Sequence, residues 1–447
     1  MAINNTVARV LQGFGPLFYL VPPSKSSFKS PNDVPNYVQE ATPYFFVLIM
    51  LEAVIRVLQK KSLPRINDSI SSLTAGMLMT FVPMLTGSIE VTMYALIYRH
   101  CRVVDLPWDS PWTWWCAFVC VDFVYYWFHR MAHEVNLFWA AHQVHHSSEE
   151  YNLTTALRQS TFQRFTSMFF NLPMALLVPP SAYVVHKEFN LLYQFWIHTE
   201  VVSNLGPLEW VLNTPSHHRV HHGVNPYCID KNYAGVLIIW DRLFGTFEPE
   251  KDKVVYGLVH QLGVWNPIWV QIHHYIHIWN QFWKYDWKYK MAVLLKGPGW
   301  SPGKPRLGCI EDIPQVSSAT TKPYDKAVPR WLKLYCVVHF VLVLYGSNEL
   351  GRTYKTMPFM VSIPLIAYFT FSLTCFGLMF DLNPSCVKAE LLRLALFGVC
   401  DVFVTHFLPT AEDTTLARWG VRVTALVSCL IWLTSHIRQF DDTKKAT

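Results

Sequence analysis

The stretch HRMAHEVNLFWAAHQVHH (residues 129–146) and the shorter HRVHH (residues 218–222) decide how this chain folds. They hold three histidine clusters, with the spacings H-x3-H, H-x2-HH and H-x2-HH. On an α-helix, residues three and four positions apart lie on one face, so each cluster can direct two or three imidazoles at one point. The sequence therefore predicts a fold that brings the two stretches together around a metal site.

The number and kind of ligands predict two iron ions. Eight converging imidazoles exceed the four ligands of a tetrahedral zinc site. The clusters contain no cysteine, and imidazole ligands with open positions for dioxygen suit iron. His198 is a ninth candidate, because it ends an apolar stretch and the polar residues after it should return it to the metal side. The predicted metal ligands are His129, His133, His142, His145, His146, His198, His218, His221 and His222.

Carboxylates are expected beside these ligands, because neutral imidazoles leave the charge of two metal ions uncompensated. Glu134 follows His133 directly and could accept an imidazole N–H. Asp122 lies two helical turns before His129 inside an apolar run, where a carboxylate without a partner is costly. We assign Glu134 and Asp122 to the catalytic site on this basis. Further candidates, for which a solvated surface charge is the alternative, are Glu149, Glu150 and Asp230.

A fourth histidine cluster is interpreted differently. His273, His274 and His277 lie in the segment 265–290, which is crowded with tryptophan and tyrosine. Such residues are at home at the membrane–water interface. The segment is therefore predicted to be an interfacial anchor helix and not a metal site.

The composition indicates a protein that crosses a membrane several times. Apolar residues make up 51% of the 447 residues and charged residues only 15%, against roughly 25% in a typical soluble domain. The basic residues are scattered, without the stripe that nucleic-acid binding requires. The 10 cysteines form no C-x-x-C pair, which favours free thiols over a disulfide framework. The membrane is therefore a predicted partner, and nucleic acid is not.

Long apolar runs predict about nine membrane spans in an all-α fold. Runs near 162–180 and 183–200 should form a hairpin that leaves and returns to one side of the bilayer, so that the histidine clusters meet. The predicted regions are 1–110, an N-terminal region with two transmembrane spans; 111–295, the catalytic di-iron region; 296–330, a cytosolic linker; and 331–447, a C-terminal transmembrane region with a dilysine-like tail. The predicted fold is an all-α, polytopic integral membrane protein whose histidine-rich di-iron centre is capped by cytosolic helices.

Charged residues predict the orientation. Lys444 and Lys445 resemble the dilysine retrieval signal of endoplasmic-reticulum membrane proteins, which is read from the cytosol. Counting four spans back from a cytosolic C-terminus places the linker and the histidine clusters in the cytosol. Three further spans place the basic loop 60–65 there as well, as the positive-inside rule favours, whereas Arg99 and Arg102 fall on the lumenal side. We predict a multi-pass protein of the endoplasmic-reticulum membrane with its active site facing the cytosol.

The runs DFVYYWFHRMAH, AAHQVHHSSEEYN, HRVHHGVN and IDKNYAGVLIIWDRLFGTF together resemble the fatty acid hydroxylase superfamily, over roughly residues 115–250. Members of this superfamily are membrane di-iron enzymes with the same three histidine boxes, and they include sterol desaturases, sterol methyl oxidases and fatty acid 2-hydroxylases. The resemblance implies dioxygen-dependent hydroxylation or desaturation of a lipid on the cytosolic face.

Within the superfamily, the whole chain resembles the branch that cleaves ether lipids, in its length, its first histidine stretch and its extra C-terminal spans. That resemblance implies tetrahydrobiopterin as the reductant and an alkylglycerol or lyso-alkyl lipid as the substrate. The ether-adjacent methylene would be hydroxylated, and the hemiacetal would collapse to a fatty aldehyde and glycerol, with aldehyde-processing enzymes acting downstream. The sequence offers no recognisable pterin pocket.

Two alternatives stay open. A sterol or fatty acid hydroxylase or desaturase of the same superfamily would use the same boxes, although no haem segment of the cytochrome b5 type is fused to the chain. A membrane metal transporter could use the histidines as an ion site. Transport sites usually lie near the bilayer midplane between broken helices, whereas these clusters lie beyond the ends of predicted spans. The enzyme is therefore the favoured class.

Overall fold

Helices account for the regular structure of this protein. In a computed structural model, the described residues contain no strand, and two isolated β-bridges join Leu212 to Leu237 and Gly223 to Tyr256. The predicted all-α class is confirmed. The described residues are 13–316, 321–407 and 415–446.

The chain divides into two compact units. The first contains most of the chain up to residue 323, and the second contains residues 77–87, 263–270 and the chain from residue 324 onward. The helices of the first unit are α1 (Pro23–Ser26), α2 (Tyr37–Leu58), α3 (Ile66–Thr86), α4 (Ile89–Cys101), α5 (Pro111–Glu134), α6 (Asn136–His146), α7 (Leu153–Ala156), α8 (Gln163–Asn171), α9 (Pro180–Ile197), α10 (Pro215–His221), α11 (Ile239–Leu243), α12 (Pro267–Lys284) and α13 (Lys290–Leu295). Those of the second are α14 (Arg330–Thr353), α15 (Phe359–Phe380), α16 (Cys386–Phe407) and α17 (Thr415–Ala446).

Four helical segments among the described residues are long and apolar enough to cross a membrane, which confirms a polytopic membrane protein. Two precede the histidine clusters and two follow them. A shorter apolar segment lies in α17. The four predicted region boundaries stay predictions, as does the dilysine-like tail, because the side chains of Lys444 and Lys445 lie outside those described. The four segments are Pro31–Leu58, Ile66–Thr86, Arg330–Thr353 and Phe359–Phe380.

The hairpin predicted over residues 162–200 does not form as two membrane-length arms. Its first arm contains only the nine residues of α8, which continue into the 3-10 turn Leu172–Leu176. Pro173 and the pair Pro179–Pro180 stop a longer helix, because proline lacks the backbone N–H of the helical hydrogen bond and its ring clashes with the preceding turn. The second arm, α9, is a core helix of the first unit, where it packs against α5 and buries Phe189 and Leu192 completely.

A one-residue break between α5 and α6 positions the first two histidine clusters. Val135 is extended (φ −122°, ψ 116°) and separates the two helices. Asn136 secures the break, because its backbone N–H donates to Lys296 O at 2.8 Å and its side chain donates to Val293 O at 2.9 Å. Consecutive segments of the chain can therefore direct their histidines into one common region.

Candidate metal centre

Five histidines from α5, α6 and α10 meet in one buried group, here called group A. Their candidate ligand atoms all lie within 4.8 Å of one another. The Nε2 atom of His142 lies 2.9 Å from Nε2 of His129 and 3.2 Å from Nε2 of His146. Group A consists of His129, His133, His142, His146 and His221.

Four further histidines form a second group, here called group B, within the same 4.8 Å limit. His198, the residue that ends α9, lies at its centre. Its Nε2 atom is 3.1 Å from the Nε2 atoms of His218 and His222 and 3.2 Å from that of His145. The structure thus brings all nine predicted ligands into two groups, while their role as ligands stays a prediction. Group B consists of His145, His198, His218 and His222.

The adjacent histidines of the H-x2-HH clusters separate into different groups. Successive residues of an α-helix differ by about 100° around its axis, so neighbours in sequence point in different directions. His145 joins group B and His146 joins group A; His221 joins group A and His222 joins group B. The ring centroids of His146 and His222 are 4.3 Å apart, so the two groups adjoin. Each doublet therefore contributes one predicted ligand to each of the two neighbouring groups.

The hydrogen bonds behind the imidazoles determine which ring nitrogens carry protons. In group B, Nδ1 of His145 lies 3.0 Å from Arg158 O, and Nδ1 of His198 lies 2.6 Å from Gln194 O. A carbonyl oxygen only accepts, so both Nδ1 atoms must carry the proton. The two Nε2 atoms, 3.2 Å apart, then both present lone pairs and cannot hydrogen-bond to each other. A cation between the two atoms would stabilise facing lone pairs at this distance.

The same argument applies to group A. The carbonyls of Tyr233 and Lys231 accept from Nδ1 of His129 and His221, at 2.7 Å and 2.9 Å. Nε2 of His221 is buried and has no hydrogen-bond partner among the described residues. Bonds from imidazole nitrogen to a metal are about 2.0–2.1 Å long, which places neighbouring ligand atoms roughly 3 Å apart. The nitrogen separations in both groups fit ligands of one ion each.

Burial keeps these imidazoles neutral. All nine histidines are at most 6% exposed. Burial lowers the pKa of the His145 imidazole to about 4. Burial lowers the pKa of His222 as well, and the neighbouring imidazoles, His146 first among them, add to that effect. Because the neutral imidazole is the form that binds metal, both groups suit a metal ion at neutral pH.

Glu134 does not contact an imidazole as predicted. Its Oε1 accepts from Arg130 Nε at 2.8 Å and its Oε2 accepts from Arg306 Nη1 at 2.7 Å. Two guanidinium groups therefore bind the carboxylate, one at each oxygen. Its position, five residues after His129, places it beside the ligand face of α5 and not on it. The predicted hydrogen bond from an imidazole is wrong.

Asp122 is also directed away from the imidazoles. It is completely buried, and its oxygens accept from the backbone N–H groups of Val236 and Leu237 at 2.8 Å and 3.0 Å. The expectation that a carboxylate in an apolar run needs partners was sound. Those partners belong to a loop and not to an imidazole, because two helical turns separate Asp122 from His129 along the helix axis.

The remaining carboxylates have different positions. Glu149 and Glu150 pair with Arg65. Asp230 lies closest to a predicted ligand, with its Oδ1 3.9 Å from Nδ1 of His133. The sequence does not indicate which main-chain carbonyls accept hydrogen bonds from the imidazoles, because every residue has a carbonyl. It also gave no reason to select Gln163, whose Oε1 lies 3.0 Å from Nδ1 of His142.

The histidines of the predicted anchor helix stay outside both groups. His273, His274 and His277 lie on α12, and neither group found among the described residues includes them. Nε2 of His274 instead lies 2.7 Å from Oδ1 of Asn136, the residue that secures the break between α5 and α6.

Comparison with known families supports the arrangement. The fatty acid hydroxylase family model matches residues 114–246, which contain all nine histidines of groups A and B. The model of the alkylglycerol monooxygenase C-terminal domain matches residues 332–410. No solved structure matches the chain with significance.

Curated relatives extend over nearly the whole chain. The alkylglycerol monooxygenase of Xenopus tropicalis is 48% identical over 98% of this chain and 97% of the relative. The enzyme of that name from Homo sapiens is 49% identical over 92% and 95%, and that from Caenorhabditis elegans is 38% identical over 86% and 81%. The resemblance to the superfamily is confirmed, and the chain is a membrane oxidoreductase of the monooxygenase class. It belongs to the alkylglycerol monooxygenase family.

Proposed function

We propose that this chain is a di-iron monooxygenase that hydroxylates the ether-adjacent carbon of alkylglycerols, using dioxygen and tetrahydrobiopterin. The observation that carries the proposal is the convergence of imidazole lone pairs in groups A and B, in a chain similar along its length to alkylglycerol monooxygenases. The substrate class comes from the names of those relatives. The pterin comes from the resemblance to the ether-lipid-cleaving branch.

Groups A and B would each hold one iron ion, through five and four imidazoles respectively. When bound, the two ions would activate dioxygen for insertion of one oxygen atom into a C–H bond. The residues of the chain hold the ligands in the required tautomer, through carbonyl acceptors such as those of Arg158 and Gln194. They also exclude water, since none of the nine histidines is more than 6% exposed.

The proposed reaction is a two-electron monooxygenation followed by cleavage of a hemiacetal. One atom of dioxygen enters the C–H bond beside the ether oxygen. The other leaves as water, with two electrons and two protons supplied by the tetrahydropterin, which becomes a dihydropterin. The hemiacetal then breaks its carbon–oxygen bond to the glycerol and releases a fatty aldehyde. Enzymes that oxidise or reduce aldehydes would act on this product.

Contacts of the basic loop 60–65 support an active site on the cytosolic side of the endoplasmic-reticulum membrane. Lys61 Nζ donates to Glu200 O at 2.8 Å, and Arg65 Nε donates to Glu150 Oε1 at 2.8 Å. Glu200 and Glu150 lie close in sequence to His198 and His146, one member of each group. The loop and the metal centre therefore face the same compartment. The positive-inside rule places such a loop in the cytosol.

The test is an assay of the full-length protein, purified and reconstituted in lipid, on a radiolabelled alkylglycerol. We expect fatty aldehyde only when dioxygen and tetrahydrobiopterin are both present, and none from the His142→Ala variant. Aldehyde production without pterin would remove the pterin from the proposal. Hydroxylation of a sterol or free fatty acid, with the alkylglycerol left intact, would assign the chain to another branch of the superfamily.

A further inference from the structure

Asp122 also accepts hydrogen bonds from outside the 233–237 loop, which contains Val236 and Leu237. Its Oδ1 also accepts from Asn190 Nδ2 on α9, at 2.8 Å, and its Oδ2 accepts from Trp240 Nε1 at 3.0 Å. Four uncharged donors therefore surround one completely buried carboxylate. A buried charge without a cationic partner is stable only when hydrogen bonds satisfy it, so the positions of these donors are closely constrained.

One branch of this network leads to group A. Val236 and Leu237, which donate to Asp122, closely follow Tyr233 in the chain. Tyr233 O is the acceptor behind Nδ1 of His129. The same loop is held from its other side by Asp241, which accepts from the backbone N–H groups of Tyr233 and Ala234 at 2.8 Å each.

The other branch leads to group B. Oδ1 of Asn190 accepts from Gln194 Nε2 at 2.6 Å, and Gln194 Oε1 accepts from the hydroxyl of Tyr125 at 2.6 Å. Gln194 O is the acceptor behind Nδ1 of His198, the central residue of group B. Asn190 therefore connects Asp122 to the turn of α9 that holds His198.

The packing around Gly235, where the loop meets Asp122 and α9, leaves no space for a side chain. A Cβ atom added to Gly235 would lie 2.8 Å from both amide atoms of Asn190 and 2.9 Å from Oδ1 of Asp122. Only glycine allows the loop backbone to approach both side chains so closely. The loop and α9 meet at this single carboxylate.

We propose that Asp122 is a positioning residue that sets one ligand of each group, His129 through the 233–237 loop and His198 through Asn190 and Gln194. This inference rests on the proposed metal-binding role of groups A and B. Asp122 touches no reacting group in it. Its effect is to hold two acceptor carbonyls, and through them the tautomer and direction of two imidazoles.

The test compares three variants of the full-length protein: Asp122→Asn, Asp241→Asn and Asn190→Leu. Asp122→Asn places an amide NH₂ against N–H donors and disturbs both branches. Asp241→Asn removes the second support of the loop, and Asn190→Leu breaks the link from Asp122 to α9 while it leaves both backbone donors of the loop in place. We expect about a 10- to 100-fold loss of iron affinity at both groups for Asp122→Asn, a loss that is larger at group A for Asp241→Asn, and a loss that is larger at group B for Asn190→Leu.

Iron affinity is measured by titration with a competing chelator, and Mössbauer spectra of ⁵⁷Fe-loaded protein distinguish which of the two ions changes. Helix content and thermal midpoint are recorded for the iron-free proteins, because a merely structural role would lower the midpoint without changing the two irons selectively. The proposal is overturned if Asp122→Asn binds two irons with parental affinity, or if Asp241→Asn and Asn190→Leu weaken the same ion more than the other. A parent protein that binds fewer than two irons would instead contradict the proposed function itself.

Discussion

At the scale of single residues, His198 makes three of the closest nitrogen contacts in group B. Each of the other three Nε2 atoms lies within 3.2 Å of its own. Without His198, group B keeps three imidazoles, one fewer than the four-coordinate sites that bind metals most stably. His198 also lies outside the three histidine boxes, so its importance can be tested separately from theirs.

We expect His198→Ala to reduce the iron content from two ions to about one per chain and to lower monooxygenase activity at least roughly 100-fold. This loss exceeds that expected when a residue that only hydrogen-bonds to a ligand is removed. Elemental analysis and the alkylglycerol assay measure the two effects. His277→Ala is the control, because this histidine is exposed on α12 and should leave both quantities unchanged. Parental iron content in His198→Ala would rule out its role as a ligand.

Glu134 provides a second prediction at this scale. Its ion pairs with Arg130 and Arg306 are partly shielded from water, since the Glu134 side chain is only 7% exposed. Glu134→Gln keeps an acceptor but loses the charge, so we expect it to cost about 1–2 kcal/mol of stability and to leave the iron content unchanged. Calorimetry and elemental analysis check this expectation.

The exposed pair between Lys304 and Asp312 lies close in the chain to Arg306 and serves as the control for Glu134. Lys304→Gln should leave the thermal midpoint unchanged, because solvent screens such a pair. Loss of iron in Glu134→Gln would instead indicate that Glu134 takes part in metal binding.

At the scale of elements, α3 packs tightly against the chain segment after α7. A Cβ atom on Gly76 would lie 2.4 Å from Leu157 O, and the backbone at Leu157 would have to shift to relieve this contact. Arg158, the next residue, provides the acceptor carbonyl for His145 of group B. The packing of one helix is thus connected to the direction of one predicted ligand.

We expect Gly76→Ala to destabilise the protein by about 1–3 kcal/mol, the usual cost of overpacking, and to weaken iron binding at group B. Gly398→Ala is the matched control, because Gly398 lies in helix α16 with no atom within 4 Å of its added Cβ. Alanine there should be neutral or stabilise the helix by up to about 1 kcal/mol. If both variants unfold at the parental temperature, the tight contact at Gly76 has no energetic significance.

Some features of these elements could be predicted from the sequence, and others could not. The i, i+4 spacing is local, so the placement of histidines four residues apart in one group followed from helix geometry, whereas histidines three residues apart separate into different groups. The hairpin over 162–200 did not follow, because an apolar run of this length does not distinguish a lipid-facing helix from a core helix such as α9. The acceptor for His129 and the backbone partners of Asp122 depend on contacts between segments more than 100 residues apart, such as Asp122 and Val236. Such contacts leave no local pattern.

At the scale of the whole molecule, the proposed orientation can be mapped with glycosylation tags. Gly87 lies between α3 and α4 and Gly303 lies in a turn, and neither has an atom within 4 Å of an added Cβ, so both positions offer space for an inserted tag. Gly87 follows α3 at the end opposite to the basic loop 60–65 and should be glycosylated in the endoplasmic-reticulum lumen. Gly303 should not be. Glycosylation at Gly303 alone would reverse the orientation and place the metal centre in the lumen.

The facing lone pairs of groups A and B have a consequence for the life of the protein in the cell. Neutral imidazoles whose Nδ1 atoms carry the proton, such as those of His145 and His198, repel one another at their Nε2 atoms, and a bound metal ion would remove that cost. Binding to the folded state alone stabilises that state by mass action. We expect newly synthesised chains to be sorted by iron supply: those that load metal persist, and those that do not are degraded. Iron availability during synthesis would then set how much of this enzyme a membrane contains, before any regulation of its activity.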